Sequence, residues 1–157
     1  MQTSHSRRNT RRATRRATRG FTMVEILITL SMAGVLSSVA LPTFQGHLQK
    51  ARRADVLVSM MQVQLAQSRW RANGTNYGTL AQIGVRSVSM GGHYTLTLGS
   101  EADDHYEVLA SANGAQAGDT ACRHMMLRVV GATVLQASGP DTTVANPAAA
   151  NRKCWNQ

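Results

Sequence analysis

The polarity pattern divides the chain into three stretches. Residues 1–20 show no apolar face at any period; a four-residue unit recurs as RRNT, RRAT, RRAT. Residues 21–41 run as FTMVEILITLSMAGVLSSVAL, with Glu25 as the one charge. As a helix this run spans roughly 31 Å, about the hydrocarbon thickness of a bilayer. Pro42 follows, and there it predicts a kink rather than a stop, because a helical pattern resumes at once. Val56, Met60, Val63 and Trp70 fall on one stripe of a 3.6-residue period, and Leu57, Met61 and Leu65 on a second. Gln67 falls inside the first stripe and weakens it. Two stripes predict a helix that buries one side in its own domain and offers the other to neighbours. The combined helix is expected over 21–72, with Gly34 and Gly46 as points where it is easily bent.

Beyond Asn73-Gly74 the period changes. Tyr77, Leu80, Ile83 and Val85 are scattered anchors of a loop. Gly91-Gly92 separates 88–90 from the alternating run 94–98, which reads as a two-residue hairpin. Tyr106, Val108 and Ala110 alternate, as do Met125, Leu127 and Val129, and Gly131 leads into a further run at 132–136. The pattern predicts three or four antiparallel strands with one face against the helix. The stretch 138–153, rich in Gly, Pro, Ala and Asn, reads as loop. The expected fold class is α+β: a basic leader at 1–20, a long helix at 21–72 whose part 21–41 is transmembrane, and a globular β-sheet domain at 73–157.

Charge sharpens this organisation. The net charge is +9, yet seven arginines lie within the first twenty residues and the remainder carries only +2. Positive charge confined to a tail argues against a protein that coats nucleic acid with a folded face. Such a tail alone could be a nucleic-acid arm, a transit peptide or a topology signal. Next to an apolar span it is explained as the flank retained in the cytoplasm. Glu25 is out of place in a plain anchor, since a carboxylate in the span costs about 2.5–3.5 kcal/mol. Either it sits shallow near the interface or it meets a buried positive partner.

Arg19-Gly20-Phe21-Thr22-Met23-Val24-Glu25, followed by the apolar run, resembles the class III signal of type IV prepilins. The resemblance implies cleavage after Gly20 by a membrane prepilin peptidase, N-methylation of the new terminal Phe21, and pairing of Glu25 with the terminal amine of a neighbouring subunit. Paired in low dielectric, two groups that are each costly in hydrocarbon neutralise one another and set the register of a filament. The small-x-small triplet Ser38-Val39-Ala40 is a competing secretory cleavage site that would leave Leu41 as the first residue; Glu25 interrupts its apolar region, and the prepilin motif weighs against it.

Cys122 and Cys154 are the only cysteines. Outside the cytoplasm their pairing is favoured, and closing the loop would stabilise by roughly 3–4 kcal/mol. The run from Asp119 through Cys122 to Cys154-Trp155 is similar to PilE-like minor pilins, whose C-terminal disulfide closes the last part of the domain. That resemblance implies a structural minor pilin of type IV pili, serving pilus assembly and twitching motility. Its partners would be other pilin subunits, the prepilin peptidase, the inner-membrane assembly machinery and, before assembly, lipid. It would sit in the bacterial inner membrane as a single-pass protein with its N-terminus cytoplasmic, and in the extracellular pilus afterwards. A DNA-uptake pilin and a type II secretion pseudopilin stand as alternatives.

Candidate chemistry elsewhere is thin. No phosphate loop, zinc spacing or nucleophile elbow appears, so neither catalysis nor a cofactor is expected. His124 stands two residues from Cys122, but a disulfide would remove that thiol. Glu101, Asp103, Asp104 and Glu107 cluster with His105; without a full ligand loop, a solvated acidic turn is expected rather than calcium. Lys50, Arg52, Arg53 and Asp55 read as a solvated or headgroup-facing helix surface. Arg152-Lys153 beside Cys154-Trp155 could hold a phosphate and stack a base, although the small mature net charge gives DNA binding little support.

Overall fold

The structure is a computed structural model that describes residues 20–74, 76–101 and 104–157, with backbone alone at 42, 100 and 101. Residues 1–19 of the expected leader and Asp103 of the acidic cluster lie outside it. The element order is α1 (Met23–Arg71), β1 (Tyr94–Glu101), β2 (His105–Ala112), β3 (His124–Val130), β4 (Thr133–Gly139) and α2 (Ala148–Cys154), with 3-10 turns at Gly114–Gly118 and Thr120–Cys122. The chain divides into two compact units, one ending at Ala40 and the other covering Leu41–Gln157.

In the first unit every described residue is exposed, including Phe21 at 78% and Met23 at 86%. A helix with such a surface needs lipid or protein around it, and α1 is long and apolar enough to cross a membrane. Its hydroxyls do not oppose that. Thr29, Ser31, Ser37 and Ser38 each donate to a carbonyl three or four residues earlier, at 2.7–2.9 Å. Back-bonding of this kind satisfies polar groups that hydrocarbon could not. α1 runs without a break through Gly34, position 42 and Gly46.

In the second unit the first stripe of α1 enters the core. Val56, Met60 and Val63 are buried with Tyr94, Leu96, Tyr106, Val108, Met125 and Leu127. The sheet is an antiparallel meander in the order β1-β2-β3-β4, so the period-two residues reach α1 from one face. Gln67 is fully buried because its amide closes on one backbone unit, donating to Gly78 O at 2.6 Å and accepting from Gly78 N at 3.0 Å. Trp70, the last member of the first stripe, is not in the core: it is 39% exposed, although a Cβ on Gly78 would lie 3.0 Å from its ring. The second stripe is only partly outside: Leu57 packs half-buried against the core, whereas Met61 is 65% and Leu65 53% exposed. The loop after α1 is anchored by Tyr77, whose ring lies 4.7 Å from that of Tyr106 and beneath the Arg71 guanidinium at 4.5 Å.

Two local expectations are corrected. The 91–92 turn does not close a regular two-residue hairpin, because the preceding segment makes only the single bridge Val88↔Thr95. Asp55 holds that turn instead, accepting from the Gly91 N–H at 2.9 Å and from the Ser89 hydroxyl. Nor is 138–153 all loop. β4 extends to Gly139, and Pro147 leads into α2, whose three alanines are strong helix formers. Asn151 fastens α2 to β4, donating to Gln136 O at 2.9 Å and accepting from the Ser138 hydroxyl at 2.8 Å.

Candidate functional site

At the N-terminus of α1 the Thr22 hydroxyl accepts the Glu25 N–H at 3.2 Å. Thr-x-x-Glu is the capping-box spacing, and it starts the helix two residues later than the sequence suggested. Glu25 thus occupies the first turn, at the positive end of the helix dipole, with an exposed side chain. Gly20 and Phe21 precede the helix, and 38–40 lie within it. Glu25 makes no ion pair among the described residues.

The second cluster joins α1 to the C-terminal segment. Arg53 is 5% exposed and grips Asp119 with two bonds, Nε to Oδ2 at 2.6 Å and Nη2 to Oδ1 at 2.9 Å. Its third nitrogen donates to Lys153 O at 3.2 Å. Gln116, fully buried, donates to the Tyr94 hydroxyl at 3.1 Å, Asp119 Oδ2 at 3.2 Å and Gln49 O at 3.3 Å. Burial of Tyr94 pushes its phenol up to about 12, against the opposing pull of the Gln116 hydrogen bond. Next to this network Cys122 and Cys154 form a disulfide, with Cα atoms 5.5 Å apart. Arg53 and Asp55 are therefore not solvated helix charges. Sequence reasoning missed this role because their partners lie 66 and 34–36 residues away, and no local signal links them.

Among the concave surfaces of the described residues, two bring several basic side chains together. A groove of about 430 Å³ runs between α1 and the 83–90 loop, with Arg69 and Arg86 over apolar Leu65, Val85 and Met90, and no acid lines it. A second concavity, about 500 Å³, brings Lys50 together with Arg152 and Lys153. Trp155 does not join them as a stacking platform: it is 6% exposed, and its Nε1 donates to Ala137 O at 3.1 Å. The acidic turn is also partly spoken for. His105 Nδ1 lies 2.7 Å from Asp104 Oδ1 and holds that carboxyl below its ordinary range, and Glu107 faces Arg128 across the sheet. The disulfide removes the Cys122 thiol, and His124 instead shares a hydrogen bond with Ser111 at 3.0 Å.

Comparison with known proteins places these features in context. Residues 42–126, more than half of the chain, match the family model "Type IV minor pilin ComP, DNA uptake sequence receptor", and residues 15–41 match "Prokaryotic N-terminal methylation motif". Similar proteins include a fimbrial protein of Neisseria meningitidis, 24% identical over 43% of this chain and 44% of its own length. Type II secretion system core protein G of Klebsiella pneumoniae is 31% identical over 40% and 45%. Type IV major pilin protein PilE1 of Neisseria gonorrhoeae is 27% identical over 38% and 40%. The chain spans less than half the length of each of these relatives.

Proposed function

The chain belongs to the family of type IV minor pilins described by ComP, the DNA uptake sequence receptor, and from that premise we propose that it acts as a structural minor subunit of a type IV pilus. The observation that carries this reading is the succession, along the chain, of a methylation motif at 15–41 and a minor-pilin match at 42–126. In this reading prepilin peptidase cuts after Gly20 and methylates Phe21, and Glu25 takes the terminal amine of the adjacent subunit. The span 21–41 holds the protein in the bacterial inner membrane, with its N-terminus cytoplasmic, until the assembly machinery extracts it. The bared stripe with Met61 and Leu65 then meets other pilins, and Pro42 is the point at which the helix adjusts its course. The minor-pilin match favours a pilus subunit over a secretion pseudopilin.

Mass spectrometry of the mature N-terminus tests the processing. A methylated Phe21 is expected; a chain beginning at Leu41 would remove both charged partners and end this account. Glu25→Ala is expected to leave the protein in the membrane and deplete it from sheared filaments, and normal incorporation would refute the pairing.

DNA uptake is a second reading, favoured by the family description and by the acid-free groove carrying Arg69 and Arg86 within the matched segment. Phosphate contacts there would make binding strongly salt-dependent. The full chain in detergent should retard duplex DNA, and Arg69→Ala with Arg86→Ala should lower the slope of log affinity against log salt by about 2. An unchanged slope would remove the groove from consideration.

A further inference from the structure

The concavity formed by Lys50, Arg152 and Lys153 is not accounted for by assembly, and it lies apart from the groove considered for DNA. Arg53 also lines it, but Asp119 neutralises that guanidinium. Lys50, Arg152 and Lys153 are exposed, and none has an acidic partner among the described residues. Three uncompensated cations therefore face one hollow of about 500 Å³. Their convergence is built in: the Arg53–Lys153 O bond and the disulfide at Cys154 hold the C-terminal turn against α1. Part of the basic character of Arg152 and Lys153 serves the C-terminal end of α2, but that does not explain Lys50.

Position along α1 decides which anion fits. The apolar run ends at Leu41, and exposed Phe44 continues it. Lys50 is nine residues past Leu41 and six past Phe44, a rise of about 9–13 Å. Helical side chains lean toward the N-terminus, and a lysine stem reaches back about 6 Å. The polar zone on each side of a bilayer is about 5–7 Å deep. Measured along α1, the Lys50 ammonium thus lies one polar-zone depth past the end of the apolar run, and Arg152 and Lys153 share its hollow. A nucleic-acid site is the weaker fit: Arg152 and Lys153 lie outside the matched 42–126, and Trp155 is buried. We infer that this basic pocket binds the phosphate of anionic phospholipid headgroups while the subunit resides in the membrane. The inference rests on the membrane-resident state proposed above. Three such cations favour an anionic surface by about a hundred-fold.

The test uses the full chain in nanodiscs of phosphatidylcholine alone or of phosphatidylcholine enriched in phosphatidylglycerol, followed by amide hydrogen exchange. The anionic discs are expected to slow exchange at 148–157 several-fold, and high salt should abolish the difference. The variant Lys50→Gln/Arg152→Gln/Lys153→Gln should exchange alike in both discs while its β2 and β3 amides remain protected, which shows that it is folded. Lys50→Arg/Lys153→Arg should behave as wild type. Equal exchange of the wild type in both discs overturns the inference, as does a difference that survives in the triple variant. So does equal protection by inorganic phosphate in neutral discs, which would mark a soluble-anion site. Stronger protection by duplex DNA than by phosphatidylglycerol would reassign the pocket to nucleic acid. Failure of the chain to enter nanodiscs at all would sink the membrane reading itself, an outcome distinct from these.

Discussion

Asp119→Ala is expected to be among the most damaging substitutions that leave the apolar core untouched. Both side chains of the Arg53–Asp119 pair are 6% exposed, so water and salt screen it little. Removing the carboxylate leaves a guanidinium buried with the Lys153 carbonyl, and Gln116 loses an acceptor as well. Breaking a buried pair from one side costs about 3–5 kcal/mol, against a total of about 5–15 kcal/mol for a domain of this kind. Unfolding entropy of about 2.1 cal/mol/K per residue gives roughly 0.25 kcal/mol/K for the Leu41–Gln157 unit, so Tm should fall by about 12–20 °C. Thermal unfolding of the full chain in detergent, followed by near-ultraviolet circular dichroism with the disulfide intact, reads this directly. The control is Arg53→Met/Asp119→Leu, which removes both charges and keeps the volume. It should recover most of the loss, leaving about 1–2 kcal/mol for the orphaned Lys153 carbonyl and Gln116 amide. A cost below about 1 kcal/mol for Asp119→Ala, or a double variant as damaged as the sum of the singles, would refute the reasoning.

Gly139→Ala should lower stability by about 1–3 kcal/mol in the same melt, because its Cβ would stand 2.8 Å from the Val144 Cα and 3.1 Å from the Ala145 nitrogen, and backbone cannot step aside. An unchanged Tm would show that the 139–145 turn is looser than it looks. Replacing Cys122 and Cys154 together by serine should cost roughly 3–4 kcal/mol and free the C-terminal segment for proteolysis before the sheet is cut; simultaneous cleavage of both would count against a local staple. Burial holds Tyr94 and Tyr106 near 12, above the ordinary 10. The native state therefore keeps protons that the unfolded chain sheds, and stability present below pH 10 is lost as pH rises toward 12, by about 2–3 kcal/mol per tyrosine. Denaturant midpoints across that window check the sign, and Tyr106→Phe should roughly halve the slope.

The gross plan was legible because each part of it is written locally. A run of apolar residues, a 3.6-residue stripe and alternations of period two are properties of neighbouring positions, and they located α1, β2 and β3 to within a few residues. Along the sequence the Gln67 interruption is a weakness of the stripe. It became one of its fixed points once a backbone unit, Gly78, met both ends of its amide. The charges mislead for the opposite reason. Lys50, Arg52, Arg53 and Asp55 look alike along a helix, yet Arg53 and Asp55 turn inward to partners that no window of sequence could contain.

The chain's own pattern determined that there is a long helix with an apolar, nearly chargeless first half, a carboxylate at its start, a small antiparallel sheet and two cysteines suited to pairing. Hydrophobic burial and backbone geometry act on near neighbours, so these survive in one dimension. Only the tertiary structure decided which charges are buried, that Trp155 is an anchor rather than a stacking surface, and that Lys50 meets Arg152 and Lys153. Those outcomes depend on bringing residues about a hundred positions apart within hydrogen-bond reach or into one hollow, where the cost of stranding a polar group selects the partner.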